Sequence, residues 1–431
     1  MTGEIVAVRG RRVWDSRGRP TVETEIHLSG GAMGRAIAPA GASTGSGEAL
    51  DKRDGGEAFG GYDVGQAVAA VNEEISKLLI GRDARDQSGA DEAMIELDGT
   101  ANKSRLGGNA LVATSMALAH AAAVCEGLPL WRYLGTGREQ FFMPLPEIQI
   151  FGGGAHAGRR VDIQDFMVVA VGAKTYDESL EWTADVYRAA GALMSDAGML
   201  QGVADEGGYW PAFGSNEQAL DFLVRAIEKA GYVPGEEIAI SLDVAATDFG
   251  RAGRYQLATD GKTVDSDALS EMLLGWLVRY PIVAIEDPLG EDDLEGMARF
   301  TASAGSKVEI VADDFICTSA ARIRDAAEAG ACNTALIKPN QAGTLTEAKA
   351  ALDAASSTGW ESIASARSGE SEDVTIVHLA IGWGVKQLKV GSFARSERMA
   401  KWNEGLRIAE VLGPEGAKLP PRDSFPWGRS S

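Results

Sequence analysis

Short apolar runs, each followed by a stretch with helical periodicity, recur from Phe142 to the end of the chain. Such alternation of strand and helix is typical of a mainly parallel sheet with right-handed crossovers, and a closed barrel is its simplest form. The runs occupy residues 166–171, 238–242, 282–285, 308–312, 335–337, 362–364 and 387–390. We therefore predict an α/β barrel over residues 140–431.

The first part of the chain has a different pattern. Residues 5–14 and 21–29 alternate between apolar and polar positions, and turn-forming residues from Ser16 to Pro20 separate them, which predicts a β-hairpin. From Val64 to Glu126, apolar residues recur at spacings of three and four, which predicts helices. We therefore predict a small N-terminal α+β domain over residues 1–135, with the boundary near residues 135–143.

The charge composition of the chain limits the classes of binding partner. The chain carries 41 basic and 62 acidic residues, a net charge of −21. Nucleic acids and anionic membranes both need a basic footprint, so we predict neither as a partner. A small anionic substrate stays compatible, because a local cluster of cations and metal can attract it. The 45% of hydrophobic and 24% of charged residues are typical of a soluble globular protein.

Three cysteines, Cys125, Cys317 and Cys332, are too few and too scattered for a disulfide framework, which favours a reducing cytoplasm. Residues 1–12 mix charged and apolar side chains and lack the apolar core of a signal peptide. The most continuous apolar stretch, residues 113–125, is too short to cross a bilayer. We therefore predict a cytoplasmic protein without a membrane span.

Nearly every late strand ends in a residue able to bind a metal, a proton or an anion. In a barrel the carboxyl ends of the strands meet at one mouth, where active sites are built. A single aspartate after a strand is about as often a helix N-cap, but chargeable ends in register along six strands are not explained by capping. In chain order the candidates are Asp243, Glu286, Asp313, Lys338, Arg367 with Ser368, and Lys389.

The carboxylates of Asp243, Glu286 and Asp313 offer the hard oxygen ligands that Mg²⁺ prefers. Neither cysteine nor histidine belongs to this trio, which disfavours Zn²⁺. A divalent metal and a second ammonium would both lower the pKa of a neighbouring lysine, so Lys338 or Lys389 could act as a base. The alternative is that both lysines bind an anionic substrate.

Glycine-rich segments add further candidates, because glycine lets the backbone approach a ligand closely. Residues 202–208 place Glu206 between glycines, and residues 40–45 contain Ser43. The segment 152–158 carries His156 and leads to Gln164 and Asp165. A solitary histidine in such a loop is more often merely exposed. The guanidinium group of Arg367 and the hydroxyl group of Ser368 together are suited to bind a phosphate group.

These motifs, in their order along residues 4–412, resemble those of the enolase family. The match includes the four-residue and longer segments 15–18, 41–45, 98–104, 161–164, 205–208, 242–246, 285–288, 367–370 and 394–398. The resemblance implies an eight-stranded enolase-type barrel capped by an N-terminal α+β domain. It also implies a homodimer or higher homo-oligomer, two Mg²⁺ ions and a small anionic phosphorylated or phosphonylated substrate.

The resemblance also implies a role for each candidate residue. Asp243, Glu286 and Asp313 would bind the first Mg²⁺, and Ser43 would help to bind the second. Lys338 would remove the α-proton of the substrate, and Glu206 would assist loss of its β-hydroxyl. Lys389 would bind the substrate carboxylate, and Arg367 with Ser368 its phosphate. His156 and Gln164 would line the closed pocket, together with Asp165 beside the leaving hydroxyl.

The chain departs from the family around this pocket. Ala366 stands where the family carries histidine, and Asp165 replaces a glutamate that is one methylene longer. Gly152 occupies an asparagine position, Trp210 replaces a small residue, and Pro339 a valine. The expected metal ligands and lysines are retained, so we favour a changed substrate over decay of the site.

We therefore expect a Mg²⁺-dependent lyase that acts on 2-phosphoglycerate or a close phosphonate analogue, specialised in the manner of a carboxyphosphonoenolpyruvate synthase. Two alternatives stay open: an ordinary glycolytic enolase that tolerates these changes, and a non-catalytic Mg²⁺-binding scaffold.

Overall fold

The computed structural model describes residues 2–429. The first element along the chain is a three-stranded antiparallel sheet. Its strands are β1 (Ile5–Trp14), β2 (Pro20–Leu28) and β3 (Met33–Ile37). The predicted hairpin is confirmed, and Asp15 fixes its turn by accepting hydrogen bonds from the backbone N–H groups of Arg17 and Arg19 at 2.8 and 2.9 Å. Gly18 adopts the left-handed conformation that this turn requires, with φ 70°.

Five helices complete the N-terminal domain, and the longest covers the sheet. They are α1 (Gly65–Ala70), α2 (Ser76–Leu79), α3 (Gln87–Asp98), α4 (Gly108–Cys125) and α5 (Leu130–Leu134). Helix α4 is long and apolar enough to cross a membrane, but 89% of it is buried inside the protein. It packs so closely on β3 that a Cβ atom at Gly34 would lie 2.1 Å from the backbone nitrogen of Ala121. Burial on the sheet therefore explains its apolar composition.

Eight strands form the predicted closed barrel, in the order β10-β11-β12-β13-β14-β4-β5-β6. They are β4 (Leu145–Gly152), β5 (Asp165–Val169), β6 (Ala239–Asp243), β10 (Ile282–Glu286), β11 (Glu309–Ala312), β12 (Thr334–Ile337), β13 (Glu361–Ser365) and β14 (Gln387–Gly391). A separate antiparallel sheet comprises β7 (Gly250–Arg251), β8 (Arg254–Leu257) and β9 (Lys262–Asp265). The sequence pattern did not predict this small sheet.

The first barrel strands correct the expectation that each connection is a crossover. Strand β4 escaped prediction because Pro144 and Pro146 interrupt its apolar run. Strand β5 runs antiparallel to both β4 and β6. The segment between β4 and β5 is therefore a hairpin loop that carries His156, and it lies over the barrel mouth instead of on the outer wall.

In the described part of the chain, nine helices surround the barrel: α6 (Tyr176–Asp196), α7 (Asn216–Lys229), α8 (Ser266–Arg279), α9 (Leu294–Ala304), α10 (Ala320–Glu328), α11 (Pro339–Ala342), α12 (Leu345–Ser357), α13 (Thr375–Trp383) and α14 (Ser396–Gly416). Serine, threonine and aspartate side chains outside the candidate site cap six of them: Thr175, Ser215, Asp265, Asp293, Ser319 and Thr344. Within residues 2–429, none of Asp243, Glu286 and Asp313 is a helix N-cap. Capping therefore does not explain these three carboxylates.

The C-terminal segment covers the opposite end of the barrel. Phe425 is fully buried and stacks on Trp427, with ring centroids 4.7 Å apart. The indole of Trp427 donates a 2.9 Å hydrogen bond to Glu309, a buried carboxyl group on β11. Because this end is covered, the mouth at the carboxyl ends of the strands is the way into the barrel.

A half-buried histidine, His120, and a buried one, His378, lie where the N-terminal domain packs on the barrel. His120 on α4 shares a 2.9 Å hydrogen bond with the hydroxyl of Thr375, and its ring centroid lies 6.3 Å from that of His378 on α13. Nε2 of His378 is 3.5 Å from Glu404, and its Nδ1 has no hydrogen-bond partner among residues 2–429. Burial lowers the pKa of both rings; for His378 the neighbouring His120 lowers it further, to about 4, although Glu404 and Asp373 oppose the shift.

This pair makes stability sensitive to acid. An unfolded histidine has a pKa near 6.5, so unfolding takes up a proton on His378 between about pH 6.5 and pH 4. The contribution of His378 to the free energy of unfolding therefore falls as the pH drops through this window, by about 2 kcal/mol between pH 7 and pH 5. We predict that His378→Gln reduces this loss in urea unfolding experiments. Gln66→Ala, at an exposed residue of α1 without a titratable group, is the control and should keep the wild-type dependence. A His378→Gln protein with the same pH dependence as the wild type would contradict the prediction.

Candidate active site

The structure brings the predicted site residues together at one mouth of the barrel. Asp243 and Glu286 are the last residues of β6 and β10, and they are cross-strand partners. Asp313 and Lys338 directly follow β11 and β12, and Lys389 lies within β14. All five side chains are buried. Parallel pairing in register is what aligns the ends of these strands.

The ammonium group of Lys389 lies between three carboxylates. Its Nζ donates hydrogen bonds of 2.8 Å to Asp243 and 2.8 Å to Glu286, and it is 3.3 Å from Asp165. Asp243 also accepts a 2.9 Å hydrogen bond from the side-chain amide of Gln164. Burial opposes the charge on Lys389, but the Asp243, Glu286 and Asp165 carboxylates outweigh it and raise the pKa of Lys389 well above its usual value.

A second ammonium, that of Lys338, pairs with Asp313 at 2.5 Å. The other Asp313 oxygen accepts a 2.8 Å hydrogen bond from Gln341 on α11. Burial again opposes the charge on the lysine, but Asp313 dominates, so the pKa of Lys338 is raised. The carboxylate of Asp313 is the nearest charge to Lys338 in this arrangement, and the expected lowering of the pKa by a divalent metal stays a prediction.

His156 lies between two further buried acids. Its Nε2 is 3.7 Å from Glu206 Oε1 and 3.9 Å from Asp165 Oδ1, and only 6% of the residue is exposed. The expectation of an exposed histidine in a glycine loop is thus wrong, whereas its placement in the pocket agrees with the resemblance. Burial raises the pKa of Asp165. For Glu206 burial acts in the same direction, but the positive charges of His156, Arg398 and the site lysines outweigh it and lower the pKa.

Arg367 fixes the loop that carries Ser43. The guanidinium makes paired hydrogen bonds of 3.0 and 3.1 Å to Glu48 and a 2.9 Å hydrogen bond to the backbone carbonyl of Ser43. Ser368 accepts a 3.2 Å hydrogen bond from Arg17 in the turn after β1. Sequence reasoning missed Glu48, although its position just after the glycine-rich segment 40–45 was an available signal.

One small cavity of about 20 Å³ connects these groups, enough space for about one water molecule. Its lining includes Ser43, His156, Gln164, Asp165, Glu206, Asp243, Lys338, Ala366, Arg367, Ser368 and Lys389. Glu286 and Asp313 do not line the cavity but contact Lys389 and Lys338, which do. All twelve predicted side chains therefore belong to one connected site, and loops 40–48 and 152–164 close it.

The donor set at the mouth fits a hard divalent cation. Glu286 Oε1 is buried and has no hydrogen-bond partner in the described part of the chain. Burial and the neighbouring Asp243 raise the pKa of Glu286 well above its usual value. An ion of charge +2 would relieve both the repulsion and the lack of a ligand. The two lysine ammonium groups supply that positive charge in this structure.

Among residues 2–429, two groups of buried ligands have oxygen or nitrogen atoms within 4.8 Å of one another: Asp287 with Asp313 and Asp314, and His156 with Asp165 and Glu206; the predicted trio of Asp243, Glu286 and Asp313 is not among them. Asp287 follows Glu286 at the same strand end, but the sequence assigned it no role. Its carboxylate accepts hydrogen bonds from the backbone N–H groups of Asp313 and Asp314 at 3.0 and 2.7 Å. Asp287 therefore positions the backbone of the predicted ligand Asp313.

Two of the residues that depart from the family pattern, Ala366 and Asp165, line the cavity. Pro339 occupies the first position of α11, where its lack of an N–H group is harmless. Gly152 packs tightly, since a Cβ atom there would lie 2.7 Å from that of Ala204.

Comparison with known proteins agrees with this geometry. A family model described as "Enolase, N-terminal domain" matches residues 5–134, and one described as "Enolase, C-terminal TIM barrel domain" matches residues 140–420. The protein named Enolase 1 from Desulfitobacterium hafniense (strain Y51) is 47% identical over 425 residues, which cover 98% of this chain and 97% of that protein. The chain therefore belongs to the enolase family and is an enolase-type carbon–oxygen lyase.

Proposed function

We propose that this enzyme converts 2-phosphoglycerate to phosphoenolpyruvate with the help of two Mg²⁺ ions. The observation that carries the proposal is the single closed cavity lined by Lys338, Glu206, Lys389 and Arg367. These residues supply a base, an acid and two binding groups for anions. The 47% identity to a protein named Enolase 1 supports the same reaction.

The reaction is difficult because a hydrogen next to a carboxylate is extremely weakly acidic. Its removal places a second negative charge on the carboxylate group. When bound, the Mg²⁺ ions would stabilise this charge by direct electrostatic attraction. Asp243, Glu286 and Asp313 would hold the first ion, and Ser43 would contribute to the second.

Residues of the chain bind the substrate and transfer the protons. Nζ of Lys338 takes the α-proton, for which it must first leave Asp313 and lose its own proton. Lys389 binds the substrate carboxylate, and Arg367 with Ser368 binds the phosphate group. Glu206, beside His156 and Asp165, delivers a proton to the departing β-hydroxyl, for which it must first take up a proton, because its neighbours lower its pKa. Gln164 lines the pocket, and the closed loops exclude water from the reacting atoms.

A second candidate substrate is a phosphonate analogue of 2-phosphoglycerate that carries an additional acidic group. One observation favours it: the small side chain of Ala366 lines the cavity. A methyl group in place of an imidazole frees volume for a larger ligand. The specialised activity has no support from the comparisons, so dehydration of 2-phosphoglycerate is the function that we propose first.

We also propose that the enzyme is cytoplasmic and forms a homodimer or higher homo-oligomer. Exposed aromatic rings on the N-terminal domain support self-association, because Trp14 and Phe59 are 54% and 42% exposed and lie 5.4 Å apart. Sedimentation of the purified protein decides between a monomer and an oligomer.

Binding of Mg²⁺ is expected to stabilise the fold independently of activity. At a free ion concentration of 100 times the Kd, linkage adds about 2.7 kcal/mol to the free energy of unfolding. We predict that Mg²⁺ raises the Tm of the wild type and that Glu286→Gln removes this increase. Asp267→Asn, at a largely exposed carboxylate, is the control and should keep the increase. A Mg²⁺-dependent rise in the Glu286→Gln protein equal to that of the wild type would refute the assigned site.

Lys338 and Glu206 are expected to separate the two halves of the reaction. We predict that Lys338→Met abolishes both exchange of the α-proton in deuterated water and formation of phosphoenolpyruvate. Glu206→Gln should keep the exchange but slow the formation of product by about 10²–10⁴-fold, because it removes only the acid. Nuclear magnetic resonance reports exchange, and ultraviolet absorbance reports product. Lys349→Met, at a partly exposed lysine on α12, is the control. Undiminished exchange in Lys338→Met would contradict the assignment of the base.

Ala366 decides between the two candidate substrates. If 2-phosphoglycerate is the substrate, we predict that Ala366→His raises kcat/KM with this compound or leaves it unchanged. An enzyme adapted to the larger phosphonate would show little turnover of 2-phosphoglycerate as wild type and would lose turnover of the phosphonate in Ala366→His. The absence of both turnover and α-proton exchange with either compound would favour the non-catalytic scaffold.

A further inference from the structure

A buried glutamine, Gln149 on β4, connects the two acids of the site. Its side-chain Oε1 accepts a 2.9 Å hydrogen bond from the backbone N–H of Gly208, just after Glu206. Its Nε2 donates a hydrogen bond to Oδ1 of Asp165 on β5. The residue is 1% exposed, so it forms both bonds away from solvent.

The orientation of this amide is fixed by its partners. A backbone N–H group can only donate, so the oxygen of the Gln149 amide must face Gly208. The NH₂ end must then face Asp165. A buried amide with both ends bonded has one orientation, because a flip would leave two polar groups without partners.

The surrounding backbone is shaped to admit this side chain. A Cβ atom at Gly208 would lie 2.5 Å from Oε1 of Gln149, and one at Gly152 would lie 3.3 Å from it. The β4–β5 register shifts between Gln149 and Phe151, and bulges of this kind redirect side chains. Two glycines and a bulge therefore accommodate one amide beside the catalytic acids.

Asp165 depends on this support, because its charged contacts within residues 2–429 do not include another hydrogen bond to the side chain. Its Oδ2 has no hydrogen-bond partner in the described chain and lies 3.3 Å from Nζ of Lys389. Its Oδ1 is 3.9 Å from His156. Gln149 thus makes the hydrogen bond that sets where the carboxylate lies between Lys389 and His156.

We propose that Gln149 is a positioning residue, whose amide couples the backbone of the Glu206 loop to the Asp165 carboxylate and so places both acids for loss of the β-hydroxyl. The inference rests on the proposed dehydration reaction. Gln149 acts through Asp165 and Gly208. Its length matters, because together Gln149 and Asp165 span the distance between β4 and β5.

An exchange of one methylene group between the partners tests this role. We predict that Gln149→Asn lowers kcat with 2-phosphoglycerate by about 10–100-fold, with a smaller change in KM, because the acid loses its position. Asp165→Glu alone should also lower kcat, because the longer acid is overpacked against Lys389. The double variant Gln149→Asn/Asp165→Glu keeps the summed length of the two side chains and should recover kcat to within about threefold of the wild type.

The control variant is Gln387→Asn. It makes the same shortening at another buried barrel glutamine, which donates a hydrogen bond to Glu309, and it should keep kcat.

The outcomes separate the inference from the proposed function. An unchanged kcat in Gln149→Asn, or a double variant no better than the worse single variant, overturns the positioning role. If the wild type does not dehydrate 2-phosphoglycerate, the proposed function fails, and crystal structures still decide the inference. Displacement of the Asp165 carboxylate in Gln149→Asn and its return in the double variant support the inference, whereas an unmoved Asp165 in Gln149→Asn overturns it.

Discussion

Charge balance inside the barrel mouth is the constraint on which the site depends. Asp243, Glu286 and Asp313 lie at the ends of neighbouring strands, where water cannot screen their mutual repulsion. An isolated buried charge costs several kcal/mol, so such a group must be paired or protonated. Here Lys389 contacts two of these carboxylates and Lys338 the third. The lysines that the proposed reaction needs are thus also the groups that balance the charge of the proposed metal ligands.

This arrangement gives one electrostatic basis for structure and chemistry. Asp243, Glu286 and Asp313 would hold a divalent cation, whose positive charge would replace the two ammonium groups as the partner of these carboxylates. Loss of the Asp313 partner and a neighbouring positive charge would both lower the pKa of Lys338, which is the change that a base requires. In the structure the pKa of Lys338 is raised, because Asp313 is its nearest charge. Ion binding and activation of the base are therefore expected to be coupled.

Much of this site could be predicted from the sequence, because parallel strands bring their carboxyl ends together. Chargeable residues at the ends of 238–242, 282–285 and 308–312 therefore predicted one mouth without any contact being known. The closed barrel and the N-terminal sheet are confirmed. The domain boundaries and the catalytic role of each residue stay predictions.

Other features could not be predicted, because they depend on the path of loops and on local pairing. Two prolines interrupt the apolar run of β4, so this strand was not predicted. The hydrophobic pattern of the sequence also gave no indication that β5 runs antiparallel. Glu48 and Gln149 contact the site only because a loop and a bulge bring them there. Burial of His156 likewise follows from the hairpin between β4 and β5, whereas its sequence surroundings suggest an exposed loop.

We propose that the ammonium groups of Lys338 and Lys389 lie where a metal ion binds, and one crystal structure tests this directly. A crystal structure of the protein grown with Mn²⁺, a substitute for Mg²⁺ with a measurable anomalous signal, locates the ion without reference to activity. We predict an ion bound by Asp243, Glu286 and Asp313, with both ammonium groups withdrawn from these carboxylates. Anomalous density elsewhere, with Lys338 still on Asp313 and Lys389 still on Asp243 and Glu286, would contradict it.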